Sequence, residues 1–421
     1  MLVLKSKKTY LLFLPIVVGF LLAGCIEPFN ATTEKFEDVL VVDALLTDEM
    51  KRQKVVLQRA FRFEETDPQG ETNAIVKVVD GNGNAYDYEE TDPGVYLSQT
   101  EFAAQQNDSY ELEINTFDGR TYRSITVGTP RQVPITDLTA KRMVDDSGEE
   151  GVGILLDNEA SSSEPTFFRY EYDETYKIIA PRWDPFEFEI VHYVACDTIP
   201  YQVDIKPRTQ EQRVCFGNAA SRKLIQVTTT DLTKSQVDDF QVHFLNRDNY
   251  IISHRYSIEV RQYSQTPDAY SFYQRLDDFS SSDNIFSQVQ PGFFQGNVFS
   301  VDDENEKVLG FFEVASVSSQ RLYFNYADLF PEEPLPPYAI NCETPRSPPL
   351  YGRAYHCLDY LVCDGNCDSP LIEAIIAGLI TYAGVNENPG IDMGPYFTWP
   401  SPCGDCTKLG SNVVPDFWAE E

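Results

Sequence analysis

Histidine, methionine and tryptophan are scarce in this sequence, whose 421 residues include 4 His, 4 Met and 3 Trp. The chain contains no His-Glu-x-x-His zinc motif, no Gly-x-Ser-x-Gly elbow and no phosphate-binding P-loop. His192, His243 and His254 stand apart from one another, and we interpret His356, beside Cys357, as structural rather than as a metal ligand. The sequence therefore indicates none of the common hydrolase or nucleotide-binding sites, no cofactor and no enzymatic activity.

Positive charge is also in short supply. Lys and Arg number 33 against 66 Asp and Glu, which gives a net charge of −33. Removing residues 1–24 would leave 30 basic and 66 acidic residues, a net charge of −36. Nucleic acids and anionic lipid surfaces are bound through clustered Lys and Arg, so this composition argues against both as partners.

No hydrophobic run is long enough to span a bilayer. The apolar segment 9–22 follows three lysines and ends in Leu22-Ala23-Gly24-Cys25. This layout is typical of a secretory signal peptide, and its ending is the bacterial lipobox, which predicts cleavage before Cys25 and lipidation of that cysteine. Acyl chains on Cys25 would anchor the protein in the lipid bilayer. The alternatives are a secreted protein with a chance cysteine and a short membrane anchor.

The sequence predicts a mainly β protein, because aromatic and β-branched residues are abundant. Residues 25–37 form a polar tether, and residues 38–130 show short alternating strands with turn signals, as in an immunoglobulin-like β-sandwich. Within this sandwich, Asp108-x-Tyr110 resembles a tyrosine corner, in which the tyrosine hydroxyl bonds to backbone upstream. A plain core tyrosine is the alternative.

Residues 131–330 predict a larger β-rich domain with a helix near 266–280. Thr266 is the expected N-cap and Pro267 the first helical residue, and Ala269, Phe272, Tyr273, Leu276 and Phe279 recur at helical spacing. Strands are expected at 308–317 and 321–325, among others. Residues 331–421 predict a cysteine-rich cap stapled by disulfides, with a short buried helix over 371–382.

Eight cysteines remain once Cys25 is lipidated, an even number that indicates disulfides in an exported chain. They are Cys196, Cys215, Cys342, Cys357, Cys363, Cys367, Cys403 and Cys406. Cys196 and Cys215 lie apart from the others, so we expect them to pair, and the remaining six could pair in about 15 ways. A zinc site is the alternative, since Cys363-x₃-Cys367 and Cys403-x₂-Cys406 have ligand-like spacing.

Carboxylates and aromatics give weaker indications of a site. Asp80-x-Asn82-x-Asn84 imitates the start of a calcium loop but lacks its glycine and its final glutamate, so we read it as a hairpin turn with at most a weak calcium site. The acidic loop around Asp302 is expected to face solvent. Loops concentrate recognition, so their aromatics are candidate ligand-binding residues, and the alternative is that they seal a junction between sub-domains. These aromatics are Trp183, Phe293 and Phe294.

Several stretches, taken in order, resemble one family. They are Cys25 to Phe29, Leu40 to Asp48, Gly94-Val95-Tyr96, Asp118 to Tyr122, Arg255 to Ser264, Val308 to Val314, Cys403-Gly404-Asp405-Cys406 and Asn412 to Trp418. This order resembles the domain-of-unknown-function 4249 lipoproteins of Bacteroidota, over essentially the whole chain after Cys25. The resemblance implies an outer-membrane lipoprotein with an immunoglobulin-like first domain, often encoded beside a TonB-dependent transporter of the SusC type. It transfers no catalytic residue.

These observations lead to three hypotheses about function. The first is a non-enzymatic outer-membrane lipoprotein, exposed at the cell surface, that serves a TonB-dependent transporter as lid, accessory subunit or substrate-capturing partner. The second is a free-standing glycan- or protein-binding module that uses loop aromatics such as Trp183. The third is a hydrolase with an unrecognised carboxylate site.

Overall fold

Strands dominate the computed structural model, which describes residues 39–60, 69–159, 166–195, 197–230, 232, 235–281, 296–352, 368–390 and 392–420. The prediction of a mainly β fold is confirmed. The strands are β1 (Leu40–Thr47), β2 (Lys54–Arg59), β3 (Gln69–Gly70), β4 (Ile75–Asp80), β5 (Ala85–Asp92), β6 (Val95–Ser98), β7 (Ser109–Asn115), β8 (Thr121–Ser124), β9 (Val127–Gly128), β10 (Ile135–Val144), β11 (Glu150–Glu159), β12 (Phe167–Ile179), β13 (Phe186–His192), β14 (Gln202–Pro207), β15 (Val214–Ala220), β16 (Ile225–Thr228), β17 (Gln236–Asn246), β18 (Arg255–Gln265), β19 (Val298–Ser300), β20 (Val308–Asn325), β21 (Ile380–Val385) and β22 (Tyr396–Pro400).

Helices are few and short in these residues. They are α1 (Pro267–Ser281), α2 (Tyr326–Leu329), α3 (Pro370–Ile376) and α4 (Ser401–Gly404), with 3₁₀ turns at Tyr250–Ile252 and Cys406–Lys408. No described helix combines the length and the apolar character that crossing a membrane requires.

The first β unit is built from β1 to β9. The ladder runs β1-β2-β6-β5-β4-β7-β8, and β5 pairs with β4 through Ala85–Asp87 and with β6 from Tyr88 onward, so it turns from one layer to the other. Inward side chains of these strands alternate with exposed ones and form one core. The tyrosine corner is confirmed, because Tyr110 is 1 % exposed and its hydroxyl accepts a hydrogen bond from the Gln105 N–H at 2.8 Å.

Two strands from late in the chain complete this unit. β19 pairs antiparallel with β8, and the first half of β20 pairs parallel with β1, from Leu40↔Val308 to Thr47↔Ala315. The sandwich expected over 38–130 therefore receives strands from beyond residue 296. β1 lies between β2 and β20, inside the sheet rather than at its edge.

β20 also builds the second unit. Its second half, Ser316–Asn325, pairs antiparallel with β18, and the sheet continues through β12 to β15 and β16. One face of this sheet packs against a separate three-stranded sheet, β10-β11-β17, and the side chains between them form a second core. The expectation of separate strands at 308–317 and 321–325 is wrong, because one 18-residue strand serves both sheets.

A glycine allows β20 to approach β1 closely. Gly310 has φ of 113°, and a Cβ there would lie 1.8 Å from the Val42 carbonyl oxygen. Only glycine combines this backbone conformation with that approach.

One helix prediction is confirmed and the other is wrong in part. α1 begins as expected, since the Thr266 hydroxyl accepts from the Ala269 N–H at 3.2 Å. Its Phe272 packs on Phe311 of β20. Leu276 on the predicted buried face is 42 % exposed. The helix expected over 371–382 is wrong beyond Ile376, because Gly378 adopts φ of 63° and ends it, and β21 follows.

The cap of residues 331–421 joins the hairpin β13–β14 around a third, smaller core. Leu371 and Ile372 of α3 pack with Tyr201 and Val203 of the hairpin. β21 and β22 form a separate two-stranded sheet beside them.

Candidate functional site

The loop that follows β12 carries Trp183, a predicted ligand-binding residue. Trp183 is half-buried and packs against the core of the second unit. Its indole N–H is buried and has no hydrogen-bond partner among the described residues. Phe293 and Phe294 lie outside the described residues.

Two arginines stack on indoles where this loop meets the cap. The guanidinium carbon of Arg213 lies 5.8 Å from the centre of the Trp183 ring, and that of Arg182 lies 5.0 Å from the Trp399 ring. Both arginines are exposed. The Ala180 N–H donates to the Arg213 carbonyl at 2.9 Å, so the two residues belong to neighbouring segments. We call Arg182, Trp183, Arg213 and Trp399 the arginine–tryptophan site.

Hydrogen bonds fix the loop against the cap. The Arg182 N–H donates to the Cys403 carbonyl at 2.8 Å, and its Nε donates to the Cys342 carbonyl at 2.9 Å. Arg208 bridges the same parts, because its Nε donates to the Asp184 carbonyl at 2.9 Å and its Nη2 to Thr381 Oγ1 at 2.5 Å.

One disulfide holds the cap on the second unit, and a second lies within the cap. Cys215 of β15 bonds to Cys406, and Cys342 bonds to Cys403, with Cα atoms 5.6 and 5.7 Å apart. The predicted Cys196–Cys215 pair is wrong, because the fold brings Cys406 to β15 from 191 residues away. Cys25, Cys196, Cys357, Cys363 and Cys367 lie outside the described residues.

A glycine between the two disulfides lets the loop and cap touch. A Cβ on Gly404 would lie 2.7 Å from Thr381 Cγ2 and 2.9 Å from the Arg182 carbonyl oxygen. Both contacts are closer than a real Cβ permits, so a larger residue would push the loop that carries Arg182 away from the cap.

The carboxylates beside the site accept hydrogen bonds from backbone N–H groups and from uncharged side chains. Glu211 accepts from the N–H groups of Arg213 and Val214, and these bonds hold the pKa of Glu211 below its usual value. Asp184 accepts from the Phe186 N–H at 2.9 Å, and Asp405 accepts from Thr407 and from Gln212. Within the described chain, no carboxylate forms an ion pair with Arg182 or Arg213. Chemically, the site offers two guanidinium groups on rigid aromatic supports, which suits an anion.

The C-terminal segment, residues 415–420, lies on the sheet that contains β12, β18 and β20, and arginines beside aromatic rings contact it there. Arg321 stacks on Phe417 with 3.8 Å between the guanidinium carbon and the ring centre, and Arg255 stacks on Tyr323 while its Nε donates to the Ala419 carbonyl. Trp418 packs edge-on against Phe216 at 4.9 Å. Glu420 pairs with Lys177 of β12 at 2.8 Å.

A buried ion pair lies under α1 at the junction of the two β units. Glu313 of β20 is fully buried and accepts from Arg169 Nη2 at 3.2 Å and from Gln265 at 2.7 Å. The Arg169 guanidinium lies between the rings of Tyr263 and Tyr273, 4.4 and 5.1 Å from their centres. The Arg169 and Glu313 charges are paired with each other and packed between aromatic rings, which indicates a structural role, although Arg169 Nε has no hydrogen-bond partner among the described residues.

A second polar cluster lies between the two sheets of the second unit. A β-bulge at Val242 turns His243 inward, so that it faces Glu174 at 3.5 Å and Tyr172 Oη at 3.0 Å. Burial would raise the pKa of Glu174, but hydrogen bonds from His243 and Tyr256 hold that pKa below its usual value. Tyr172 bonds to His243 Nδ1 and Tyr256 donates to Glu174, while His243 Nε2 faces the Glu174 carboxylate at 3.5 Å.

The acidic turns show no metal centre in the part of the chain that is described. Asp80 accepts from the backbone of Asn82 and Asn84, which uses the carboxylate in a hairpin turn. Asp302 accepts from the Thr121 N–H at 2.7 Å, and Glu306 pairs with Arg120 at 2.8 Å, so part of the acidic loop is tied to β8.

Sequence reasoning found Trp183 but missed Arg182, Arg213 and Trp399. The neighbouring Arg182-Trp183 pair was a local signal that could have drawn attention to a cation on an indole. Trp399 and Arg213 are brought to it by the disulfides and by the pairing of β12 with β15, which the sequence does not display.

Comparisons with known proteins give one extensive match. Residues 26–321 match the sequence model of the family described as Domain of unknown function (DUF4249), and residues 322–421 lie outside that range. No curated protein sequence matches the chain. One similar solved structure is a DUF4785 family protein from Legionella pneumophila subsp. pneumophila str. Philadelphia 1, with 11 % identity, a TM-score of 0.16 and coverage of 53 % of this chain. The chain spans 52 % of that protein, and a likeness at this score supports no argument.

Proposed function

This chain belongs to the DUF4249 family, and we propose that it is a non-enzymatic lipoprotein of the outer membrane, exposed at the cell surface. It acts as lid, accessory subunit or substrate-capturing partner of a TonB-dependent, SusC-like transporter. Acyl chains on Cys25 hold it to the bilayer, and residues 25–37 tether the β body to that anchor.

The disulfides are the observation that best supports an extracytoplasmic location. Cys215–Cys406 and Cys342–Cys403 join distant parts of one structure, and such bonds persist outside the reducing cytosol. A lipobox ahead of a disulfide-bonded β body is consistent with a lipoprotein of the cell envelope. The strong negative charge disfavours direct adsorption of the body onto anionic lipid, so the anchor carries the attachment.

Binding to a partner is supported by the arginine–tryptophan site. Its loop is held on a rigid frame, where recognition usually concentrates, and neither Arg182 nor Arg213 forms an ion pair with a described carboxylate, although Glu211 is close enough to attract Arg213. In the polar cluster, by contrast, Glu174 and His243 face each other and His243 bonds to Tyr172, so these groups already have partners within the protein.

Co-purification tests the proposal. An affinity tag inserted in the exposed turn between Asp145 and Gly148 leaves both described disulfides and the C-terminal segment intact. Extraction of outer membranes in mild detergent should recover the tagged protein together with a transporter barrel. Recovery of the protein alone would contradict the transporter partnership.

Mass spectrometry of the same material tests the anchor. We expect an amino terminus at Cys25 that carries acyl chains, and a C25A variant should leave the membrane fraction. An uncut amino terminus or an unmodified Cys25 would contradict the anchor.

A free-standing binding module is the second candidate. The half-buried Trp183 and its arginine favour it only if a purified ligand binds without any transporter. Such binding, weakened by W183F, together with absence of a barrel from the purified material, would favour this alternative.

A further inference from the structure

The exposed cations of the arginine–tryptophan site point to a ligand. We propose that Arg182 and Arg213 bind carboxylates of an acidic peptide segment in a partner protein. The identity of that partner as a transporter rests on the proposed function, whereas the chemistry of the site does not.

Arg182 and Arg213 differ from the arginines of this chain that pair with carboxylates. Acidic residues outnumber basic ones two to one, and exposed arginines such as Arg142 and Arg123 pair with carboxylates. Arg182 and Arg213 have no such pair within the described residues, because the nearby carboxylates accept from backbone and amide groups instead. Two guanidinium groups therefore keep donors that face solvent.

The molecule already holds one acidic segment beside an arginine that an aromatic ring supports. In the C-terminal segment, residues 415–420, the Glu420 carboxylate pairs with Lys177, and Arg321 stacks on the ring of Phe417. Arg255, supported by Tyr323, donates to the carbonyl of Ala419. Arg182 on Trp399 and Arg213 on Trp183 likewise place a guanidinium group on an aromatic ring, with no bound segment among the described residues.

The stacking also argues for a peptide rather than a sugar. A glycan needs an open indole face, but Arg213 covers one face of Trp183 while the ring packs against the core. Both arginines are exposed, and while Arg182 Nε donates to the Cys342 carbonyl, the Nη groups of Arg182 and the guanidinium of Arg213 can offer paired N–H groups to a carboxylate. The carboxylates of Asp and Glu side chains in a peptide are flexible enough to reach these guanidinium N–H groups.

The site is held in place before any ligand arrives. The Arg182 N–H donates to the Cys403 carbonyl of the cap, and the Ala180 N–H donates to the Arg213 carbonyl. The Cys215–Cys406 disulfide ties β15 to the cap, and the Cys342–Cys403 disulfide cross-links the cap itself. Stacking on indoles restricts the arginine side chains, so little conformational entropy remains to be lost on binding.

Fluorescence anisotropy with the full chain from residue 26 tests the proposal. The probe is a fluorescein-labelled peptide of alternating Asp and Glu with one Phe, compared with the same peptide carrying Asn and Gln. Only the acidic peptide should bind, and added salt should weaken it. The R182Q/R213Q double variant should lose at least about tenfold in affinity, the loss of charge-assisted hydrogen bonds.

The matched control is R222Q, since Arg222 is exposed in a turn and forms no ion pair with a described residue. It should stay within about twofold of wild type if the effect is local rather than one of net charge. Circular dichroism and mapping of the disulfides confirm that each variant is folded. Equal binding of both peptides, an equal loss in R222Q, or arginine-dependent binding of oligogalacturonate without binding of the acidic peptide would overturn the proposal.

The two experiments distinguish failure of the acidic-peptide site from failure of the transporter partnership. If the acidic peptide binds through the two arginines but no barrel co-purifies, the site stands and the transporter partnership falls. If a barrel co-purifies equally well with the double variant and no acidic peptide binds, the partnership stands and the site falls.

Discussion

The buried pair of Arg169 and Glu313 gives the sharpest prediction about stability. Replacing Arg169 by alanine leaves the carboxylate of Glu313, which is fully buried, with the neutral donors Gln265 and Tyr273 but no positive charge beside it. Breaking a buried ion pair from one side costs about 3–5 kcal/mol, because the remaining charge loses its partner but stays out of water. Loss of the stacking on Tyr263 and Tyr273 adds to this cost.

The double variant R169M/E313Q separates charge from packing. Methionine keeps much of the contact with the two tyrosine rings, and glutamine keeps a partner for Gln265 without a charge. We therefore expect the double variant to lose less stability than R169A alone, since replacing both partners of a buried pair by neutral groups is often close to neutral.

Urea denaturation followed by circular dichroism, with disulfides intact, measures these differences in the free energy of unfolding. The matched control is R52A, which removes an ion pair with Glu89, whose side chains are 36 % and 55 % exposed, and a hydrogen bond from Arg52 Nε to the Ser98 carbonyl. It should cost less than about 2 kcal/mol. A cost for R169A no larger than that of R52A would refute the reasoning. So would a double variant as unstable as the sum of its single changes.

Three further predictions concern other parts of the molecule. The pKa of Glu174 is lower in the folded protein than its unfolded value of about 4.5. The ionised carboxylate therefore adds stability above pH 4.5, and this stability is lost as pH falls through the folded pKa. The E174Q variant should be less stable at pH 7 and should lose less stability in acid, as measured by thermal melts from pH 3 to 7. Removing the cross-link in C215A/C406A should cost about 2–5 kcal/mol and admit protease near residue 411 sooner, measured by limited proteolysis. G310A should prevent folding, because its Cβ would lie 1.8 Å from the Val42 carbonyl, whereas G128A, with open space around it, should fold normally as judged by circular dichroism.

The sequence predicted the features that depend on local periodicity. The alternation around Tyr110 gave both the strand and its corner, and the capped pattern from Thr266 gave α1 to within one residue at either end. Such signals lie within a window of about ten to twenty residues, so they survive without knowledge of tertiary contacts.

Long-range pairing could not be predicted in this way. Gln320 and the serines before it break the apolar pattern of β20, and this break suggested two strands, but the ladder with β18 continues through them. The same limit applied to Cys215, whose partner Cys406 is 191 residues away, and to Trp399, which reaches Arg182 only in the folded cap. Spacing along the chain indicates which cysteines exist but not which of them the fold brings together.

The position of β20 relates the start of the described chain to the arginines of the arginine–tryptophan site. The described chain enters the fold at β1, which lies inside the sheet with β2 on one side and β20 on the other. β20 then runs on into the sheet that carries β12 and β15, and Arg182 and Arg213 lie close to the ends of these two strands. A hydrogen-bonded ladder therefore connects β1 to the strands beside both arginines, whereas Trp399 lies on β22 of the separate β21–β22 sheet. A partner bound at the arginines would be held at a fixed distance from the start of β1.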